Sequence, residues 1–258
     1  MVSDCRALYS LVAVLITWSF LTKSFSHAAQ RDIKCLKSIK NSLEDPNNYL
    51  STWNFANTSE GSLCRFTGVD CWHPDENKIL NIRLVDMGLR GEFPLGVSSC
   101  SSLTGLDLSS NNIYGNIPNN ISKLIGFLTI LDLSNNKLSG EIPEDIANCT
   151  YLNTLKLDNN RLTGQIPYQI GHLSRLRTFS VTSNQLSGPV PRFTDSTFTA
   201  DSYENNRGLC GGPLPRCRDH SKKAALAIDG DADAGIIAAA LGYVVGVFLF
   251  FWVRARIN

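Results

Sequence analysis

One phrase is written five times between Ile79 and Pro191: ILNIRLVDMGLRGEFP, LTGLDLSSNNIYGNIP, LTILDLSNNKLSGEIP, LNTLKLDNNRLTGQIP and LRTFSVTSNQLSGPVP, beginning at Ile79, Leu103, Leu128, Leu152 and Leu176. Their second apolar position falls at Ile82, Leu106, Leu131, Leu155 and Phe179, a period of 24, 25, 24 and 24 residues. A fixed period of this length marks a chain wound into stacked coils. The joint recurrence of Leu, Asn, Gly and Pro at fixed offsets leaves chance leucine spacing without support.

Each repeated position has a mechanical reason. Within LxxLxL the period-two alternation turns Leu106 and Leu108, or Leu131 and Leu133, to the inner side of a short strand, with Asp107 and Asp132 outward. One such strand per line builds a parallel sheet. The Asn closing each strand (Asn111, Asn136, Asn160 and Asn184) falls where the chain turns inward, and a ladder of their amides satisfies backbone groups in those turns. Gly115, Gly140, Gly164 and Gly188 open backbone angles closed to other residues, and Pro118, Pro143, Pro167 and Pro191 suit the edge of a short second strand. No line can bury its aliphatic side alone, so coils must stack and both open tips need covers. The first line carries Met87 where the Asn belongs and Phe93 for Ile, an irregularity expected beside a cap.

The flanks supply those covers. From Arg31, Ile33, Leu36, Ile39 and Leu43 recur at three- and four-residue intervals, which predicts an amphipathic helix ending near Asp45-Pro46. Cys64 and Cys71 stand seven apart before the array, and Cys210 and Cys217 stand seven apart after it. In an exported chain each pair reads as a cap disulfide. Cys100 and Cys149 occupy equivalent positions two coils apart. At about 4.8 Å per coil they are about 10 Å from one another, too far for a disulfide. They are expected as buried small hydrophobes, and Cys35 as an unpaired thiol on the cap helix.

The tips of the chain read as targeting signals. Arg6, an apolar run from Ala7 to Leu21 and the small-residue text SFSHAAQ predict a secretory leader over residues 1–28. Residues 235–253, GIIAAALGYVVGVFLFFWV, hold no charge, which suits a bilayer-spanning helix. Asp229, Asp231 and Asp233 precede it and Arg254 and Arg256 follow, so the positive-inside rule places the repeats outside the plasma membrane in a single-pass chain. The expected order is leader 1–28, N-terminal cap 29–78, repeats 79–191, C-terminal cap 192–217, juxtamembrane linker 218–234, transmembrane helix 235–253 and cytoplasmic stub 254–258. Asn57, Asn120 and Asn148 head N-x-S/T sequons open to glycosylation in a secretory chain.

Composition narrows function by exclusion. A formal net charge of +1 gives no nucleic-acid signal. His73 is the only imidazole near the first cysteine pair, so a metal site is not expected. No glycine-rich nucleotide loop, HRD or DFG text occurs, so neither catalysis nor a cofactor is expected of these residues. Five coils make a shallow surface, better suited to a protein interface of about 800 Å² per partner than to a deep pocket. The outward charges Arg83, Asp107, Asp132, Lys156 and Asp158 are the candidate partner-selecting residues.

The repeat text with its LxGxIP extension resembles the plant-type leucine-rich repeat. Taken with DIKCLKSIKNSLEDP, YLSTWNF, CRFTGVDCWHPDENKIL and GLCGGPLPRC, it resembles the BAK-interacting receptor-like kinases, a group of mostly pseudokinase-type immune regulators. The fold expected is therefore an α/β solenoid, a plant-type leucine-rich repeat arc of five repeats with disulfide caps, plus one transmembrane helix. The resemblance implies an ectodomain that holds a SERK-type coreceptor and regulates immune or growth signalling. The kinase-like domain of that family is absent from this sequence, so one alternative is a truncated form of a kinase-like receptor. Another is a direct sensor of a secreted peptide, against which the short array argues.

Overall fold

The computed structural model describes residues 29–56, 59–194 and 198–217. The expected leader, linker, transmembrane helix and cytoplasmic stub, and the sequon residue Asn57, lie outside them. Among the described residues no helix is long and apolar enough to cross a membrane.

A short strand, β1 (Val69–Cys71), precedes the array. Each line then supplies two strands: β2 (Ile79–Arg83) and β3 (Arg90–Glu92), β4 (Gly105–Asp107) and β5 (Asn112–Asn116), β6 (Ile130–Asp132) and β7 (Lys137–Glu141), β8 (Thr154–Lys156) and β9 (Arg161–Thr163), and β10 (Thr178–Ser180) and β11 (Ser187–Pro189). The first strands of the lines pair in parallel, and β1 adds antiparallel to β2, giving a six-stranded sheet in the order β1-β2-β4-β6-β8-β10. Its register sets Ile82, Leu106, Leu131, Leu155 and Phe179 in one row. All five are at most 3% exposed. Burying each such side chain stabilises the array by about 1.5–3 kcal/mol, and only the coils on either side make that burial possible. A second sheet, β3-β5-β7-β9, runs along the adjoining side. Pro94, Pro143 and Pro167 stand just past its strands and lead into 3₁₀ turns.

The asparagine ladder is directional. Asn136 accepts from Ile113 N–H and donates to Leu108 O, both in the coil before its own, and also donates to Leu133 O and Ser134 O at home. Asn111, Asn160 and Asn184 repeat the arrangement. Only an amide offers both the acceptor and the donors needed at this length. Each coil therefore satisfies the backbone of its predecessor. Met87 is explained by this, because the first coil has no earlier line to serve; its own N–H is taken by Asn111 Oδ1 at 3.2 Å. The residue before each ladder position, from Asp86 and Ser110 through Asn135, Asn159 and Ser183, holds φ between 53° and 57°. Small polar side chains tolerate that left-handed turn.

The sequence reading missed a fifth ladder member. Asn206 accepts from Leu186 N–H and donates to Val181 O, Tyr203 O and Glu204 O, while β12 (Gly208–Cys210) pairs in parallel with β11. The C-terminal cover is thus a partial coil, with Tyr203 buried at 2% exposure where earlier lines place an aliphatic residue. Phe179, Phe193, Phe198 and Tyr203 close that tip as an aromatic cluster. Cys210 and Cys217 are each disulfide-bonded.

At the other tip a helix, α1 (residues 29–42), lays Ile33, Leu36 and Ile39 onto the first coil. Beyond its end, Asp45 accepts from Tyr49 N–H and Leu50 N–H and so ties down the 3₁₀ turn Tyr49–Thr52. Cys64 and Cys71 form a disulfide. Cys35 and Cys100 form another, with Cα atoms 5.1 Å apart across 65 residues of sequence. This corrects the expectation of an unpaired Cys35 and a merely buried Cys100. Coil-to-coil arithmetic separates Cys100 from Cys149 but says nothing of a helix folded across the first coil, whose buried face carries Cys35. Cys149 remains a free thiol at 2% exposure, and burial, with Asp145 nearby, pushes it up to about 12. Asp32, fully buried, accepts from Ile79 N–H at 2.8 Å and Ser101 N–H at 2.5 Å. Burial holds its carboxyl above the ordinary value despite those hydrogen bonds. Glu44 exchanges two backbone hydrogen bonds with Arg90 and so covers the open edge of β3.

Candidate protein-interaction surface

The residue ahead of each line's first leucine leads into the six-stranded sheet, and in successive coils it reads Ser102, Phe127, Tyr151 and Arg175. Trp72, just after β1, joins this row by donating its indole N–H to Ser102 O at 3.2 Å. Phe127 is 61% exposed, Trp72 46% and Tyr151 42%. The Phe127 and Tyr151 rings lie 6.0 Å apart, and with Trp72, Ser102, Thr104 and Thr129 they border a hollow of about 370 Å³. Thr104 and Thr129 direct their hydroxyls to Leu80 O and Thr104 O, which leaves methyl groups as the floor. Cations bracket the strip: Lys78 Nζ stands 5.4 Å from the Trp72 ring and the Arg175 guanidinium 5.2 Å from the Tyr151 ring.

Large aromatic rings left in water beside one another are unfavourable unless something covers them. Aromatic residues and arginine in this arrangement are also the side chains that dominate protein interfaces. The hollow is open and small, so it fits an inserted side chain better than an enclosed substrate.

The outward charges expected to select a partner are largely engaged within the sheet. Arg83 pairs with Asp70 at 2.8 Å and Lys156 with Asp132 at 3.2 Å. Asp107 accepts from Ser109 N–H and its hydroxyl, and Asp158 from the Asn159 amide. Asp132, 7% exposed and also bonded to Ser134, is no exposed selector, which corrects the expectation for that residue. The physical reason is a short-range one: a serine two residues on and a lysine on the next strand both reach this carboxylate. Sequence reasoning overlooked Trp72, Lys78, Phe127, Tyr151 and Arg175 because it followed the strand positions. The signal lay one column earlier, where aromatic residues occupy consecutive lines at a position the repeat does not bury.

A second cavity, about 480 Å³, is lined by Asn116, Asn119, Glu141, Ile142, Pro143, Glu144 and Asp145. Among the described residues no group of three or more His, Cys, Asp or Glu side chains converges as a metal site.

Comparisons with known proteins agree with this architecture. The leucine rich repeat N-terminal domain model matches residues 29–72, and the Leucine Rich Repeat model matches residues 102–124, 127–149 and 151–173. The inactive LRR receptor-like serine/threonine-protein kinase BIR2 of Arabidopsis thaliana is 54% identical over 126 residues, 49% of this chain and 21% of that protein. The crystal structure of the BIR2 ectodomain from the same plant superposes with a TM-score of 0.70 at 51% identity, covering 72% of this chain and 98% of that one. A chain in the crystal structure of the Arabidopsis thaliana BIR3–SERK2 complex superposes with a TM-score of 0.68 at 45% identity, covering 73% and 100%. The chain spans about a quarter of the length of the curated relatives it matches.

Proposed function

We propose that this chain, which belongs to the plant leucine-rich repeat receptor-like kinase family, is a binding module whose aromatic strip holds the ectodomain of a SERK-type coreceptor outside the plasma membrane. Membrane anchoring through residues 235–253 and regulation of immune or growth signalling complete the reading. One observation carries it: Trp72, Phe127 and Tyr151 stand exposed in a contiguous row between two cations. That row lies on a fold 45% identical to a chain of the BIR3–SERK2 complex. Such a row supplies affinity through desolvated aromatic contacts, and the flanking cations supply orientation. The engaged charges Arg83, Asp132 and Lys156 serve the sheet instead.

The test is association of the detergent-solubilised full chain with a SERK2 ectodomain, followed by biolayer interferometry. Two central aromatic contacts are worth more than about 1 kcal/mol each, so Phe127→Ala with Tyr151→Ala should weaken binding at least about tenfold. Asp107→Ala should leave it nearly unchanged. No association at micromolar concentration, or equal affinity for the double variant, overturns the assignment.

A further inference from the structure

Helix α1 carries Asp32, Cys35, Leu36 and Ile39 on the side that covers the first coil, each 0% exposed. Its other side carries Arg31, Lys34 and Lys37, all exposed. A three-residue step advances about 4.5 Å along a helix and turns it by about 60°, so these cations follow one another in a slanting row over two turns. Asp32, the one acid of the helix, is turned away from the row and accepts from Ile79 N–H and Ser101 N–H. Among the described residues Lys34 and Lys37 enter no ion pair. Lys40 is different, because its Nζ donates to Leu50 O at 2.9 Å and Trp53 O at 3.0 Å. Beside the row, Lys37 Nζ stands 5.5 Å from the centre of the Phe55 ring. That ring is partly buried and held edge-on by Phe66, with centroids 5.2 Å apart. Closing the coil uses the buried side of α1 alone, so the cations and the ring are left over for something outside the chain.

We propose that this row binds a polyuronate, a linear polysaccharide with a carboxylate on each sugar. Successive carboxylates accept from Arg31, Lys34 and Lys37, and the C–H face of one pyranose lies on the Phe55 ring beside the Lys37 ammonium. The step of about 4.5 Å between cations is close to the length of one pyranose in an extended chain, so charge meets charge along the helix without bending either partner. A linear polyanion fits a row better than a compact acidic patch does, and its apolar ring faces give the aromatic side chain a role. Such a polymer releases condensed counterions on binding, which makes the affinity fall with salt. The row lies on the side of α1 turned from Ser101, and hence from Trp72, whose indole reaches the neighbouring Ser102. The polysaccharide site and the aromatic strip are therefore separate surfaces.

This inference rests on the extracellular placement in the proposed function but fails separately from coreceptor binding. The detergent-solubilised full chain is passed over immobilised polygalacturonate in calcium-free buffer, followed by biolayer interferometry. Fully methyl-esterified polygalacturonate, which keeps the sugar chain and lacks the charge, is the comparison. The acid form should bind, more weakly as salt is added, and the ester should not. Lys34→Ala with Lys37→Ala should weaken binding to the acid form at least about tenfold. Lys34→Arg with Lys37→Arg keeps both charges and should bind as the parent does. Lys123→Ala with Arg161→Ala removes the same charge from exposed positions elsewhere and should leave binding nearly unchanged. No binding of the acid form, equal binding of the ester, equal losses in the two alanine pairs, or an arginine pair as weak as the Lys34 and Lys37 alanine pair overturns the site. The Lys34 and Lys37 alanine pair should bind the SERK2 ectodomain as the parent does, and a loss there would assign the row to the coreceptor surface and overturn the polysaccharide reading.

Discussion

The first coil is covered by helix α1, the Cys35–Cys100 disulfide and the buried Asp32 carboxylate, whereas the last coil is covered by one more degenerate coil in which Asn206 repeats the ladder. The ladder's direction explains the asymmetry. Every ladder asparagine reaches back, so a trailing coil is finished only when something behind it supplies another amide. Continuing the repeat, even poorly, accomplishes that. The leading coil owes nothing backward, and what it needs is a lid over its apolar side and an edge partner for β3. A helix of unrelated pattern, tied across 65 residues, meets both needs.

The comparison breaks most visibly at the covalent tie. Replacing Cys35 and Cys100 together by Ser should destabilise the chain by about 4 kcal/mol on chain-entropy grounds, against about 2 kcal/mol for the short Cys64–Cys71 loop. Urea unfolding of the two variants decides it, and equal losses would mean that the cap does not depend on its longer closure. The ladder is probed next. Asn136→Ala strands Ile113 N–H inside the array and should lower stability by about 2–3 kcal/mol. Asn206→Ala makes the equivalent change in the closing partial coil, where Asn206 is 8% exposed against 9% for Asn136, and should lower it by a similar amount, about 2–3 kcal/mol. Amide hydrogen exchange at Ile113 and Leu186 reports the two sites individually. The smallest effect belongs to Asp32. Folding raises its carboxyl above the ordinary 3.8, so the folded chain binds this proton more tightly than the unfolded chain does. Its contribution is therefore fully present below that value and is lost as pH rises through the folded value. Asp32→Asn should flatten the fall in unfolding midpoint as pH rises above that ordinary value, and an unaltered slope would show that other groups set it.

Much of this was legible because the repeat is a local code. Leu106, Asn136 and Gly140 each announce a role that depends on offsets within one line, and the same offsets recur. Asn206 was also written in the text, but its line is too degraded for the pattern to be followed. The interaction surface was less legible. Asp132 looks like an exposed charge on any strand diagram until the lysine of the next strand and its own serine are placed around it. Trp72 becomes part of an aromatic row only when β1 folds antiparallel onto β2 and delivers the indole to Ser102.

The sequence by itself determined the winding, the inner row of apolar side chains, the four-member ladder and the need for covers, because stacking identical coils leaves one set of positions buried and one set of turns unsatisfied. Tertiary structure alone decided that Cys35 meets Cys100, that Asp132 meets Lys156 and Arg83 meets Asp70 across neighbouring strands, and that aromatic surface stands free beside the sheet. Those outcomes depend on how an element outside the repeat lies across it and on side chains reaching between neighbouring strands, and neither distance is encoded in the spacing of a single line.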